Sequence, residues 1–313
     1  MLKHSGALLL IFISLSVFGQ QKIDNVRTEN HVYIKGTKIY LIPPKGFTVG
    51  QNFLGLQQNE SGSSIMLLDI PGPYSETSAG LNAENLLGSG VEVSNIEQLT
   101  FNGLPAMLIT GKQHAYGNSY TKYILVFGDE SETIMINGVS PESMKKIGAK
   151  IKESMLSAVY DAGMKLDPFA ALDYTIDVSE TKLKFAGSMS NSLIFTVDGK
   201  IPTASKDKTN LIVTKSFNTV TPEDKKLFCI NRIKKTPVDI QNIEYVNEIT
   251  VDGINGYEIY AKAKSKNAEE TENIYQVILF SDNLYYILIS TTNDETVQSV
   301  EEAKNAIHTF KRK

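Results

Sequence analysis

From Tyr257 to Lys264 the residues Tyr257, Ile259, Ala261 and Ala263 alternate with Glu258, Tyr260, Lys262 and Lys264. This is the period-two pattern of a strand with one packed face and one wet face. Tyr275 to Phe280 and Leu284 to Ser290 are continuous apolar runs rich in β-branched and aromatic residues, with Ser281-Asp282-Asn283 between them. Such runs around turn-forming residues predict an antiparallel hairpin. Tyr120 to Phe127 and Thr133 to Asn137 predict a second one. A helical period takes over after each hairpin. Met144, Ile147, Ile151, Met155 and Ala158 recur at spacings of three and four, behind Ser140 as a cap and Pro141 as a first helical residue. Val297, Val300, Ala303, Ile307 and Phe310 repeat the pattern near the end. Shorter helices are expected from Asn82 to Leu87 and from a cap at Thr221 and Pro222.

These patterns occur twice in the same order. Thr100-Phe101-Asn102-Gly103-Leu104 is answered by Thr250-Val251-Asp252-Gly253-Ile254 at an offset of 150. Residues 123–129 are answered by 276–282, and Ile134-Met135-Ile136 by Ile287-Leu288-Ile289, at 153. Ser64-Ile65-Met66-Leu67 meets Asn210-Leu211-Ile212-Val213 at 146, and Thr37-Lys38 meets Thr181-Lys182 at 144. Small drifts in offset are what loop insertions do to two copies of one fold. The expected fold class is α+β, with two tandem repeats, each an antiparallel β-sheet flanked by helices. The boundaries read as a leader at 1–19, a first repeat at 20–160, a linker at 161–174 holding Gly163 and Pro168, and a second repeat at 175–313.

The leader reading rests on Lys3, an apolar run from Ala7 through Phe18, and small or branched Val17 and Gly19 ahead of Gln20-Gln21-Lys22. That is the order of a cleavable signal peptide. The run is shorter than the roughly twenty residues a membrane-spanning helix needs. The expectation is a periplasmic or secreted protein, soluble after cleavage and with no membrane span. Loss of Lys3 takes the formal charge from −4 to −5, which disfavours nucleic acid as a partner, since phosphate backbones call for a basic patch. The lone Cys229, within Leu227-Phe228-Cys229-Ile230, reads as a small buried hydrophobe. Without a second cysteine no internal disulfide forms, so core packing carries stability.

The element order, with Ile42-Pro43-Pro44-Lys45-Gly46-Phe47 leading into Ser64-Ile65-Met66-Leu67-Leu68-Asp69, resembles the PsbP-like family of α/β/α sandwiches. The second repeat has Ala186-Gly187-Ser188-Met189 near the place of the Pro-Pro-Lys-Gly-Phe string. The resemblance implies a non-enzymatic binding or accessory module and carries over no catalytic residue.

Catalytic patterns are sparse. His31, His114 and His308 are far apart and at no spacing that pairs two metal ligands, so no metal site is expected. No serine sits between glycines two before and two after. Ser143-Met144-Lys145-Lys146 matches a serine-x-x-lysine spacing, but no Ser-Asp-Asn or Lys-Thr-Gly element accompanies it. Gly88-Ser89-Gly90 reads as a turn, not a phosphate loop. The acidic pairs Glu269-Glu270 and Glu301-Glu302 lie in solvated charge runs rather than the unlike environments acid/base work needs. No catalytic residue and no cofactor are expected.

The binding candidates are His114, Tyr116 and Tyr120. They stand in a nearly uncharged aromatic connection, residues 111–120, where the second repeat has the charge run 264–272. Tyrosines on a rigid hairpin bring contact area at little entropic cost. The leading expectation is an exported non-catalytic binding or accessory protein of the cell envelope, its partner another envelope protein. Two alternatives stay open: an enzyme with its site at the interface between repeats, and a structural component of an envelope or secretion assembly.

Overall fold

A computed structural model of the chain describes residues 21–115, 117–170, 172–217, 222–265, 271–282, 284–293 and 297–313. The leader, Tyr116 and Thr221 lie outside the described residues. Two tight turns hold the left-handed backbone that Asn-Gly and Asp-Gly pairs adopt at hairpins: Asn102 and Gly103 at φ 50° and 80°, Asp252 and Gly253 at 51° and 71°. Each turn joins two long strands, and around it each half of the chain builds its sheet.

The first half runs β1 (Gln21–Ile23), β2 (Val32–Tyr33), β3 (Ile39–Leu41), β4 (Thr48–Val49), β5 (Gly55–Gln58) and β6 (Ser63–Pro71). Helices α1 (Tyr74–Gly80) and α2 (Ala83–Gly88) follow, then β7 (Val91–Phe101), β8 (Leu104–Ala115), β9 (Asn118–Gly128), β10 (Glu132–Pro141), α3 (Lys145–Leu156) and β11 (Val159–Tyr160). The second half runs β12 (Tyr174–Thr175), β13 (Lys184–Met189), β14 (Ser192–Thr196), β15 (Asn210–Lys215), α4 (Lys225–Ile233), β16 (Val238–Val251), β17 (Ile254–Ser265), β18 (Thr271–Ser281), β19 (Leu284–Thr292), α5 (Val297–His308) and β20 (Lys311–Arg312). The larger sheets have the orders β7-β8-β9-β10-β6-β5-β4, with β1 added beside β7, and β16-β17-β18-β19-β15-β14-β13. Both predicted hairpins form, Thr133 opposite Gly128 and Tyr285 opposite Phe280.

In each half the last helix covers one sheet face. Ile151 and Met155 of α3 join Ile65, Leu67, Leu125, Phe127, Ile134 and Ile136 in one core. Gly138 lets α3 approach, since a Cβ there would stand 2.4 Å from Ile151 Cγ2. Ile307 of α5, with Phe310 beyond it, joins Leu211, Val213, Val277, Leu279 and Leu288. Thr37 and Thr181 close the same turn: each hydroxyl donates to the carbonyl three residues back, Ile34 at 2.8 Å and Val178 at 2.7 Å, and accepts from the amide two ahead at 3.1 Å.

Several sequence expectations need correction. Ile147, Ile151 and Met155 of α3 pack on the core as predicted, but Met144 is exposed ahead of the helix and Ala158 lies past its end. Ser140 and Pro141 belong to the end of β10, and the helix opens at Lys145 behind a turn holding Ser143. The pairing of β10 with β9 extends through Pro141 opposite Tyr120, so sheet register overrides the local start signal. The helix expected behind Thr221 and Pro222 opens at Lys225, where the Asp224 side chain accepts from the Leu227 amide at 2.8 Å. The expected cap at Asn82 is present, accepting from Asn85 at 2.9 Å, while α1 ahead of it carried no recognisable apolar stripe. Finally, the offset of 153 is one residue out. Phe127 and Leu279 face the terminal helices, as do Ile136 and Leu288, which makes the offset 152. A slip of one residue would turn every side chain to the opposite face.

The two halves touch. The Asn191 side-chain amide donates to the Asn52 carbonyl at 3.1 Å, and a Cβ on Gly187 would lie 3.4 Å from Pro71. The expected linker is not all loose chain, because Leu172 and Phe169 pack into the second core.

Candidate functional site

The face of the second sheet away from α5 is only partly roofed. Cys229 and Ile233 of α4 pack over Ile259, Ala261, Ala263, Ile274 and Ile278 of β17 and β18. Toward β19, β15 and β14 the face continues as a groove with a volume of about 610 Å³, within the usual range of about 300–1,000 Å³ for small-molecule sites. Cross-strand pairing sets its floor. Ile194 stands opposite Ile212, Ile212 opposite Ile289, and Ile289 opposite Gln276, which is followed by Ile259 under the helix. Ile194, Ile212 and Ile289 are half-buried, so this apolar row borders the open groove.

Polar residues flank the row but bond among themselves. Asn210 Nδ2 donates to Thr291 Oγ1 at 2.7 Å, and Ser192 donates to Thr214 Oγ1 at 2.7 Å. Thr196 Oγ1 accepts from the Lys200 amide at 3.0 Å and so shapes the loop that brings Lys200, Ile201 and Pro202 to the wall. Gln276 is the exception. It is 1% exposed, its Nε2 donates to the Cys229 carbonyl at 3.1 Å, and its Oε1 is buried without a partner. Arg232 and Lys235, at the end of α4, and Lys200, from the loop after β14, also line the groove, with Glu272. None of the three cations is in an ion pair with a described residue. The groove therefore offers aliphatic surface, a buried acceptor and a cationic wall.

The binding candidates from the sequence lie elsewhere. The connection expected over residues 111–120 is mostly hairpin: β8 continues to Ala115 and β9 starts at Asn118. His114 is exposed, and its Nδ1 lies 2.9 Å from Ser119 Oγ. Tyr120 is half-buried and lines a shallow hollow with Ser61, Pro141, Glu142 and Lys145. The structure thus brings His114 and Tyr120 to one hairpin end. His31 is a brace, its ring nitrogens 3.0 Å from the Thr28 amide and 2.9 Å from the Ser157 carbonyl. His308 is exposed on α5. Cys229 is fully buried, and that burial pushes its thiol up to about 12.

Between the halves lies a smaller cavity of about 190 Å³, reached by Lys35, Asn52, Phe53, Asp173, Asn191 and Lys215. Its Lys215 and Asp173 already pair at 2.7 Å. In the first half, Lys38 pairs with Glu132, and Tyr160 donates to the same carboxylate at 3.1 Å. Asp69 beside them has a buried Oδ1 without a partner, and burial, then the charge of Glu132, raises its carboxyl to about 6 against the opposing pull of Lys38. Among the described residues, no three His, Cys, Asp or Glu side chains gather in a metal-binding group.

Sequence reasoning missed both Gln276 and Asp69. The signal for Gln276 was one polar residue inside an apolar strand, which becomes informative once cross-strand neighbours are known.

No family model and no curated protein matches the chain. Among solved structures it is similar to cyanobacterial PsbP (CyanoP) from Synechocystis sp. PCC 6803, at 12% identity and TM-score 0.30, over 40% of this chain and 87% of that one. It is also similar to the immunity protein TplEi of T6SS from Pseudomonas aeruginosa, at 6% identity and TM-score 0.33, over 90% of this chain and 97% of that one. A chain of the Tle4-Tli4 complex is similar at 6% identity and TM-score 0.32, over 92% and 99%.

Proposed function

We propose that the chain is an exported, non-catalytic binding protein of the cell envelope, built of tandem repeats at 20–160 and 175–313, with its ligand site in the groove of the second repeat. The repeat reading rests on the matching strand orders, the shared Thr37 and Thr181 turn and the paired Asn-Gly and Asp-Gly hairpins. Export rests on the order of charge, apolar run and small residues in 1–19. Mass spectrometry of the native protein is expected to find an amino terminus near Gln20. An intact Met1 refutes export.

The observation that carries the binding role is the row Ile194, Ile212 and Ile289, half-buried on the floor of a groove that reaches the buried Gln276. A sheet face of that composition calls for a cover. The test is recovery of small molecules from protein purified without detergent and then denatured, for the wild type and for Ile212→Arg shown to be folded by circular dichroism. A compound released in stoichiometric amount by the wild type and absent from the variant is the expected result. Equal recovery from both, or none from either, refutes the groove as the site.

A second contact surface is proposed at the hairpin end of the first repeat, where Tyr120 lines a hollow and His114 is exposed. There His114, Tyr116 and Tyr120 meet a partner protein of the envelope. Replacing His114 and Tyr116 with alanine is expected to lose partner recovery at an unchanged melting temperature. Lost stability with recovery retained refutes this surface.

A further inference from the structure

We infer that the groove ligand is an acidic amphiphile: an aliphatic body on the isoleucine floor and one anionic head group at the wall formed by Arg232, Lys235 and Lys200. The inference rests on the groove being the binding site and adds the chemistry of what it binds.

Three features of the cavity lead there. Its floor is aliphatic and unbranched in direction: Ile194, Ile212 and Ile289 stand on adjacent strands in one line across the sheet. A line of methyl-bearing side chains suits an extended hydrocarbon, whose area it removes from water at about 25 cal/mol per Å². One end of the line reaches Gln276, whose Nε2 is taken by the Cys229 carbonyl and whose Oε1 is the acceptor it has left. That acceptor is out of reach of solvent, so it ends the line and leaves the three isoleucines as the surface open to a ligand. The third feature is charge. Arg232, Lys235 and Lys200 line the cavity, and Glu272 is the only acidic residue among its described lining residues. Lys200 and Lys235 are exposed and Arg232 is half-buried. The chain as a whole is acidic, so a cationic wall on an apolar groove runs against the average of its surface. Arg232 and Lys235 also suit the negative end of the α4 dipole, a stabilising role that makes no demand on a ligand and is separated from the proposal by the test.

Decanoate, decanol and decyltrimethylammonium share one chain and differ in head charge. Calorimetric titration of the full chain with each is expected to give about ten-fold tighter binding of decanoate than of decanol, the worth of one charge-assisted hydrogen bond, and the weakest binding for the cation. In the double variant Arg232→Gln, Lys235→Gln, decanoate is expected to fall to the affinity of decanol, while decanol itself is unchanged. Decyl phosphate binding in place of decanoate supports the acidic head and assigns it to phosphate. Equal binding of all three decyl compounds overturns the acidic head and leaves the groove standing as an apolar site. Decanoate bound equally by the wild type and the double variant overturns the assignment to that wall. If none of the three binds to folded wild type and Ile212→Arg behaves identically, the groove reading fails with it.

Discussion

The outer faces of the two sheets differ where their strand order does not. At the same place in the order, one row of the first sheet reads Gly55, Met66, Asn137, Ile124, Ile109, and the matching row of the second reads Ile194, Ile212, Ile289, Gln276, Ile259. In the first half, Tyr74 at the start of α1, Leu81 just after it and Leu86 of α2 pack onto that face, and Ile109 and Ile124 become core. In the second half α4 roofs β17 and β18, and the isoleucines of β14, β15 and β19 border a groove. One frame therefore carries the same division in both halves, a roofed end and a half-buried end, and the half-buried end differs in residue type: Met66 and Asn137 in the first, Ile212 and Ile289 in the second. The roof is supplied by the segment between β6 and β7 in the first half and between β15 and β16 in the second.

The comparison breaks first at its edge. Gly55 has a φ of 148°, and a Cβ there would meet the Ile65 carbonyl at 2.0 Å, whereas its counterpart is an ordinary isoleucine. Gly55→Ile is expected to cost roughly 3–5 kcal/mol through backbone strain and overlap, read by urea unfolding, while Ile194→Gly costs about 1 kcal/mol. A Gly55→Ile protein of wild-type stability would show that the rows are not equivalent.

A swap under the helices comes next. Ile124→Gln places a carboxamide in the roofed cluster and is expected to cost about 3 kcal/mol. In the second half the reverse change, Gln276→Leu, removes one hydrogen bond and one orphaned acceptor together. Its expected effect is smaller, within about 1 kcal/mol in either direction, so equal costs for the two changes would erase the distinction between the faces.

Between these in size lies the acidic cluster of the first half. Asp69 stands where the second half has Lys215, by their partners Ile134 and Tyr286. The Asp69 carboxyl is raised to about 6 in the fold, above its ordinary value, so the folded state holds the proton more tightly than the unfolded chain. The stability this contributes is complete below pH 4 and is lost as pH rises through about 6. Asp69→Asn is accordingly expected to stabilise the protein at pH 7.5 by about 1–3 kcal/mol and to leave it unchanged near pH 4. A difference that is constant across this range would assign the effect to packing rather than ionisation.

Much of the frame is legible in the residues. The alternation from Tyr257 to Lys264 became β17, with Ile259, Ala261 and Ala263 buried and Lys262 and Lys264 exposed. Asn102-Gly103 and Asp252-Gly253 announced their turns because few other residue pairs accept that backbone. Helix starts were less legible. Ser140 and Pro141 carry a valid start signal, but pairing with β9 holds them in a strand. The aromatic stretch at residues 111–120 read as a connection because its polar and aromatic residues conceal a hairpin that continues almost to its tip. The groove was not legible at all, since none of its floor residues differs in type from a core residue.

Composition and local pattern determined by themselves that this chain forms long antiparallel strands, tight hairpins and helices with one apolar stripe, because side-chain period and turn backbone are local properties. Which way each strand faces, and hence the offset of 152 rather than 153, was decided by tertiary pairing, since only a partner strand distinguishes the two faces. Whether Ile212 is core or groove floor, and whether Gln276 is satisfied, was likewise decided by where α4 comes to rest. Burial is a property of what lies above a residue, and the segments that cover one another here are far apart in the chain.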